Sequence, residues 1–120
     1  MISENDGKDG IFRAIVVDGK IVGNISVEQK SDVYCMDGEI GYLLLTDCWS
    51  KGIMTEAVRQ ICAAAFLELD IIRIIGLVYA PNVASQRVLE KNSFIREGIQ
   101  KSAVYKNRQI YDLFLYAKLK

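Results

Sequence analysis

The sequence predicts an α+β domain: a mixed, mostly antiparallel sheet with flanking helices, in the order β-β-β-α-β-α-β-β. Three observations predict it. Asp18-Gly19 stands between two runs rich in β-branched residues, which is the signature of a two-residue hairpin. After Gly52 the apolar spacing changes from a strand period to a helical one. Three strands that need no helical crossover then lead into a strand–helix–strand unit.

Each element follows in order. Residues 1–10 (MISENDGKDG) are polar and read as a flexible N-terminal segment, and residues 11–120 as one domain. Ile11 to Val17 (IFRAIVV) is a strand, and Lys20 to Glu28 (KIVGNISVE) is its return; Gly23 marks a bulge or a close backbone approach. Residues 29–38 form a polar loop. Glu39 to Leu45 (EIGYLLL) is apolar enough to be a central strand covered on both faces. From about Gly52 to Leu69 runs a helix. Ile53, Ala57, Ile61, Ala64 and Glu68 mark one face and Met54, Val58, Cys62, Ala65 and Leu69 the next; the helix is apolar over most of its girth, so it should be well buried. Ile71 to Ala80 (IIRIIGLVYA) is a second central-looking strand, stopped by Pro81-Asn82. Asn82 can cap a helix that runs to about Asn92. A strand from Phe94 to about Ser102 and another within Asn107 to Lys118 complete the set.

Composition removes several classes of function. With 15 basic and 15 acidic residues, no basic field exists to recruit nucleic acid or an anionic membrane. Histidine is absent, which excludes His-based acid–base chemistry and Ser-His or Cys-His nucleophiles. The three cysteines, Cys35, Cys48 and Cys62, form no CxxC pair, so neither a disulfide framework nor a metal site is expected. Cys48 and Cys62 read as buried fillers. No apolar run approaches the ~20 residues of a membrane span, and no signal-peptide pattern is present, so the expected location is cytoplasmic.

The chemistry concentrates at Trp49-Ser50-Lys51-Gly52-Ile53-Met54-Thr55, which joins a strand to a helix. Such a turn points backbone N–H groups at one spot, and the helix dipole adds about half a positive charge, which together suit a pyrophosphate. A side chain at position 52 would block close approach of the anion, and Lys51 could add charge at the rim. A single glycine before a helix is also a common plain turn. The turn is neither a Walker A loop nor a dinucleotide-binding fingerprint, since GxxxxGK[ST] and GxGxxG are absent.

The neighbouring residues make the pattern specific. The stretch GEIGYLLLTDCWSKGIMTEAV resembles the central motif of the GNAT acyltransferase superfamily, in particular the subgroup that acetylates ribosomal-protein N-termini and related amines. Gly41-Tyr42, Leu44, Trp49, Lys51-Gly52 and Thr55-Glu56-Ala57 carry that likeness. Asn82 to Phe94 (NVASQRVLEKNSF) resembles the family's N-x-x-S-x-x-V-L-E-K-x-G-F element. Asn107 to Asp112 (NRQIYD) resembles its N-G-x-x-Y-D near the last strand. The three matches stand in the family's order and together cover roughly residues 11–120, which the resemblance makes an acetyl-coenzyme A (acetyl-CoA) domain.

The resemblance implies acetyl transfer from acetyl-CoA to a primary amine, a peptide N-terminus or a small amine, by direct attack and without a metal. It places the cosubstrate between the parallel strands 39–45 and 73–79. The pantetheine would lie along Leu43, Leu44 and Leu45 as an added strand, and the pyrophosphate on the amides of Trp49, Ser50, Lys51, Gly52, Ile53 and Met54. Asn82 would bond the pantetheine, or act as a helix cap alone. Glu39 corresponds to a carboxylate that serves as base through water, or is a solvated strand-start charge. Ser85 corresponds to a serine beside the sulfur, or is an ordinary first-turn residue. The tyrosine that many members carry at the position of Leu89 is missing, which leaves Tyr105 and Tyr111 as secondary candidates.

Departures from the pattern set further expectations. Met54 replaces a small residue and either crowds the anion or points into the core. Ser93 replaces the glycine of the K-x-G-F turn and should carry a positive φ. The family fold opens with a strand and one or two helices, whereas about ten polar residues precede Ile11 here. The expectation is a domain lacking that part, with an apolar edge or face left uncovered and homodimerisation as one way to cover it. Two rivals to a transferase follow: a CoA-binding or interaction module without turnover, and a structural fragment.

Overall fold

The computed structural model describes residues 10–120. Apart from Gly10, the expected flexible segment 1–10 lies outside the described residues; Gly10 itself is the first residue of a strand. Six strands form one sheet, β1 (Gly10–Val17), β2 (Lys20–Gln29), β3 (Asp37–Leu44), β4 (Arg73–Tyr79), β5 (Ile95–Lys106) and β6 (Gln109–Leu119). Two helices, α1 (Ile53–Glu68) and α2 (Val83–Lys91), join β3 to β4 and β4 to β5. The sheet order is β1-β2-β3-β4-β6-β5, antiparallel at every pair except β3–β4. The predicted element order and the mixed α+β class both hold.

The hairpin forms where Asp18-Gly19 placed it, with φ of 51° and 78° at the two turn residues. Gly23 combines both meanings read from it. The β1–β2 register slips beside it, Ile15 pairing with Gly23 and Val16 with Ile21, and a Cβ at position 23 would run into the Leu43 carbonyl oxygen of β3. That oxygen is backbone in a paired strand and cannot swing away. Gly23→Ala is therefore expected to cost about 2–3 kcal/mol in denaturant unfolding; an unchanged midpoint would show that the strands do not approach as closely as described.

Both helices pack on the same face of the sheet. α1 buries Met54, Val58, Ile61, Cys62 and Ala65 over β1 and β2, and α2 buries Val88 and Leu89 over β4. Leu89 reaches the space that Gly76 leaves open on β4, where an added Cβ would lie 3.1 Å from both Leu89 and Ile40. Asn92, buried at the end of α2, donates to Thr55 O at 3.1 Å and to Val88 O at 3.0 Å, tying the end of α2 to the start of α1.

Three expectations need correction. β3 is not covered on both faces as expected: Leu43 is 67% exposed, and Leu77 of the neighbouring β4 41%. Among the described residues no helix lies over the face they share with Phe12 and Val16. The long helix is buried on the Met54–Val58–Cys62 face and, on the neighbouring face, at Ile61 alone. Its Ile53–Ala57–Ala64 flank lines an open groove of about 700 Å³ against β1. And β5 runs to Lys106, well past Ser102, because it pairs with β6 as an exposed edge and needs no buried face.

Burial pushes the Cys62 thiol up from its ordinary 9.0 to about 11, with Lys118 opposing. The unfolded thiol ionises first as pH rises, so the folded state binds more protons between those two values and stability falls with pH there. The difference in unfolding free energy between wild type and Cys62→Ala should shrink by about 1.4 kcal/mol per pH unit across that window. A pH-independent difference would contradict the buried, protonated thiol.

Candidate functional site

β3 and β4 run parallel for three pairs only, Asp37–Arg73, Gly38–Ile74 and Glu39–Ile75, and then part. β4 stays paired with β6 along its whole length, and β3 with β2, so among the described residues the edges facing the gap have no partner strand. The hydrogen bond from Leu45 N–H to Val22 O, at 2.8 Å, sets the phase of the ladder. The odd-numbered residues of β3 turn their backbone toward β2, while Tyr42 and Leu44 turn theirs toward the gap. Leu44 O accepts from the Trp49 indole at 3.3 Å. The parting leaves a cleft of about 580 Å³, with Glu39 at its head, Tyr42 and Leu44 on one wall, Gly76 and Val78 on the other, and Asn82 and Ser85 of α2 closing it.

The cleft leads to the start of α1. Gly52 has φ +78° and ψ −1°, and Ser50 before it has φ 66°, so the chain turns sharply into the helix. Among the described residues no side chain caps this end. The first intrahelical bond runs from Glu56 N–H to Gly52 O, at 3.1 Å, which leaves the amides of Ile53, Met54 and Thr55 without a carbonyl partner in the helix. A Cβ at Gly52 would meet nothing within 4 Å, so solvent or a ligand can reach the backbone there. Between this turn and α2 lies a second hollow of about 380 Å³, bordered by Arg87 and Lys91. Free amides, a helix dipole and two cations converge on it, and that is the chemistry of an anion site.

Met54 is 2% exposed and points into the core, so it does not crowd the turn. Lys51 lines the groove beside β1 instead, and the cations on the α2 side are Arg87 and Lys91, which the motif reading missed. Along β3 the backbone that faces the cleft belongs to Tyr42 and Leu44. Leu43 and Leu45 do not present theirs, because the ladder phase turns them to β2. Leu45 lies just beyond the strand. Asn82 caps α2, accepting from Ser85 N–H at 3.1 Å, and its side chain also borders the cleft. Ser93 ends α2 with φ 70°, as its replacement of a glycine required.

Glu39 is held by Lys30 at 3.2 Å, with both side chains about one-third exposed, where the cleft opens toward β2. Ser85, 5% exposed, lies 2.5 Å from the Tyr42 hydroxyl across the cleft. Burial raises the Tyr42 pKa above its ordinary 10.0, the bond to Ser85 opposing, so the phenol is protonated at neutral pH. Tyr105 does not belong to this constellation. It is 73% exposed on β5, opposite Ile110, and is not among the residues lining the cleft. Tyr111 packs edge-on against Tyr79 with centroids 5.6 Å apart.

A sheet split between two parallel strands, with an uncapped helix N-terminus at the end of the split, defines a domain able to take an extended ligand with an anionic end. The chain belongs to the acetyltransferase (GNAT) domain family, which matches residues 1–95. It is 33% identical over 112 residues to the putative ribosomal N-acetyltransferase YdaF of Bacillus subtilis (strain 168), a match covering 93% of this chain and 61% of that protein. It is 42% identical over 95 residues to the probable N-acetyltransferase YjcK of the same organism, covering 79% and 51%. A solved structure of RimL, a ribosomal L7/L12 alpha-N-protein acetyltransferase in complex with coenzyme A, matches with a TM-score of 0.83 at 25% identity, over 92% of this chain and 62% of that one. The chain thus spans about half to three fifths of the length of these curated relatives.

Proposed function

We propose that this domain binds acetyl-CoA in the β3–β4 cleft and transfers the acetyl group to a primary amine, either a peptide N-terminus or a small amine. The observation that carries the reading is the parting of β3 from β4 after Glu39–Ile75, in line with an uncapped α1 N-terminus. The free backbone of Tyr42 can pair with an extended amide-bearing arm as a neighbouring strand would. The turn from Ser50 to Thr55 supplies amides for a pyrophosphate, and Arg87 and Lys91 add charge from the other side. The kinship to RimL, solved with coenzyme A, supports the same ligand here. Acetyl-CoA supplies the activated thioester. The chain supplies Glu39, placed to take a proton from the incoming ammonium through water, and Ser85, placed to donate toward the departing sulfur.

Calorimetric titration with acetyl-CoA, followed by thiol release in the presence of peptide and small-molecule amines, tests this. Micromolar binding and amine-dependent thiol release are expected. A folded chain that binds no acetyl-CoA would overturn the reading. Binding without release by any amine would favour the rival, a CoA-binding module.

A further inference from the structure

The hydroxyls of two cleft-lining residues, Tyr42 and Ser85, meet each other. Tyr42 is on β3, beyond the last pair that β3 makes with β4, and Ser85 is in the first turn of α2. Their oxygens meet at 2.5 Å, the short end of the range for hydroxyl hydrogen bonds. Both residues line the cleft, and Tyr42 is braced from behind by the Trp49 ring, 6.4 Å away between centroids. Among the described residues Ser85 Oγ makes no other hydrogen bond. Its backbone N–H is fixed by Asn82, which holds the residue in place without using the hydroxyl.

A serine hydroxyl has one proton and two lone pairs. If that proton pointed at Tyr42, Ser85 could accept from a ligand but would have no proton left to donate to one. By geometry either oxygen can donate; the phenolic O–H is the stronger acid of the two, which favours Tyr42 as donor and Ser85 Oγ as acceptor. The serine proton is then free for the cleft.

We propose that Tyr42 is a positioning residue for the acetyl-transfer site: it occupies a lone pair of Ser85 and so aims the Ser85 proton at the sulfur of the bound thioester. The inference rests on the proposed acetyl-CoA reading of the cleft. In the transfer, the amine nitrogen bonds to the carbonyl carbon and the carbon–sulfur bond breaks. The electron pair leaves on sulfur as a thiolate, and the proton lost from nitrogen passes to Glu39 or solvent. Ser85 keeps its proton and donates a hydrogen bond to the thiolate, while Tyr42 keeps its own and donates to Ser85. A donor polarised by a second donor is strengthened, and the gain is largest when the acceptor carries charge.

A readout independent of turnover isolates this role. The ultraviolet absorbance of the thiolate reports the acidity of the thiol of bound coenzyme A. That thiol should be about tenfold more acidic in the wild type than in Ser85→Ala. Tyr42→Phe keeps the ring against Trp49 and removes only the donor, and should lose most of that enhancement. The double variant should lose no more than Ser85→Ala alone. With acetyl-CoA and an amine, Tyr42→Phe should lower kcat with KM for acetyl-CoA little changed. A Tyr42→Phe thiol that titrates as in the wild type, while Ser85→Ala shifts it, would overturn the positioning role with the cofactor reading intact. Loss of all coenzyme A binding in the wild type would overturn the cofactor reading and this inference together.

Discussion

Gly52→Glu is expected to lower acetyl-CoA affinity at least a hundredfold while the chain stays folded. Two effects act at this position and can be separated. The first is backbone strain. Gly52 sits at φ +78°, where an L residue costs about 1–2 kcal/mol, and any substitution bears that cost. The second is charge. Open space surrounds the missing Cβ, so a glutamate fits sterically, and its carboxylate can fold onto the free amides of Ile53 and Met54. It then occupies the anion site and repels any phosphate that approaches. Two unit charges about 4 Å apart repel by about 4 kcal/mol at a near-surface dielectric, so a hundredfold loss, about 2.7 kcal/mol, is a lower bound. Gly52→Ala carries the strain without the charge. It should lose stability similarly, yet lose affinity by tenfold or less. Raising the salt concentration should narrow the gap between the two variants, because only the charge effect is screened. If calorimetry finds Gly52→Glu within threefold of wild type, the phosphate does not bind at this turn.

Much of this site could be read from residue type and spacing, and what escaped has physical causes. Gly52, Gly23 and Ser93 were legible because backbone geometry restricts residue choice: a side chain at Gly23 would clash with β3, and Gly52 and Ser93 both take a positive φ. Met54 was ambiguous because a helix first turn faces both ligand and core, and only packing decides; it went to the core. The runs EIGYLLL and IIGLVY announced central strands, which they are, but apolar content does not say how many faces are covered. Leu43 and Leu77 are open because no described helix lies over them. The Tyr42–Ser85 bond joins residues 43 positions apart. It depends on the angle at which β3 leaves β4, which no local pattern encodes. Arg87 was hidden for the opposite reason. On an amphipathic helix an arginine reads as solvated surface, and only the placement of α2 against the α1 turn makes it a border of the anion hollow. Tyr105 shows the converse error, since a tyrosine near a resemblance motif was given a role that its exposed place on β5 does not support.

Tyr116→Ala is expected to cost about 3–5 kcal/mol and, unlike other core truncations, to weaken acetyl-CoA binding as well. Tyr116 is 1% exposed on β6, directly opposite Gly76 of β4, on the face that carries the helices. Its ring is among the largest fully buried side chains, and its hydroxyl donates to Glu90 Oε2 of α2 at 3.0 Å. The side chain therefore both fills the layer under α2 and fixes that helix from its far end. α2 brings Asn82 and Ser85 to the cleft and Arg87 to the anion hollow, so a helix that settles into a cavity moves all three. Against a total stability of about 5–15 kcal/mol for a domain of this kind, the loss should lower Tm by roughly 10–20 °C. Tyr116→Phe keeps the packing and removes one hydrogen bond to a solvent-accessible carboxylate, and should cost about 1 kcal/mol. Ile11→Ala is the control for the binding effect. Ile11 is 4% exposed on the edge strand β1, remote from α2 in the sheet order, so its truncation should destabilise without touching the cleft. At a temperature where all three variants are folded, affinity should fall about tenfold for Tyr116→Ala and stay near wild type for Ile11→Ala and Tyr116→Phe. Equal affinities for all three would mean that α2 holds its place without Tyr116, and that Asn92, tied to Thr55 O and Val88 O, is enough to set the cleft.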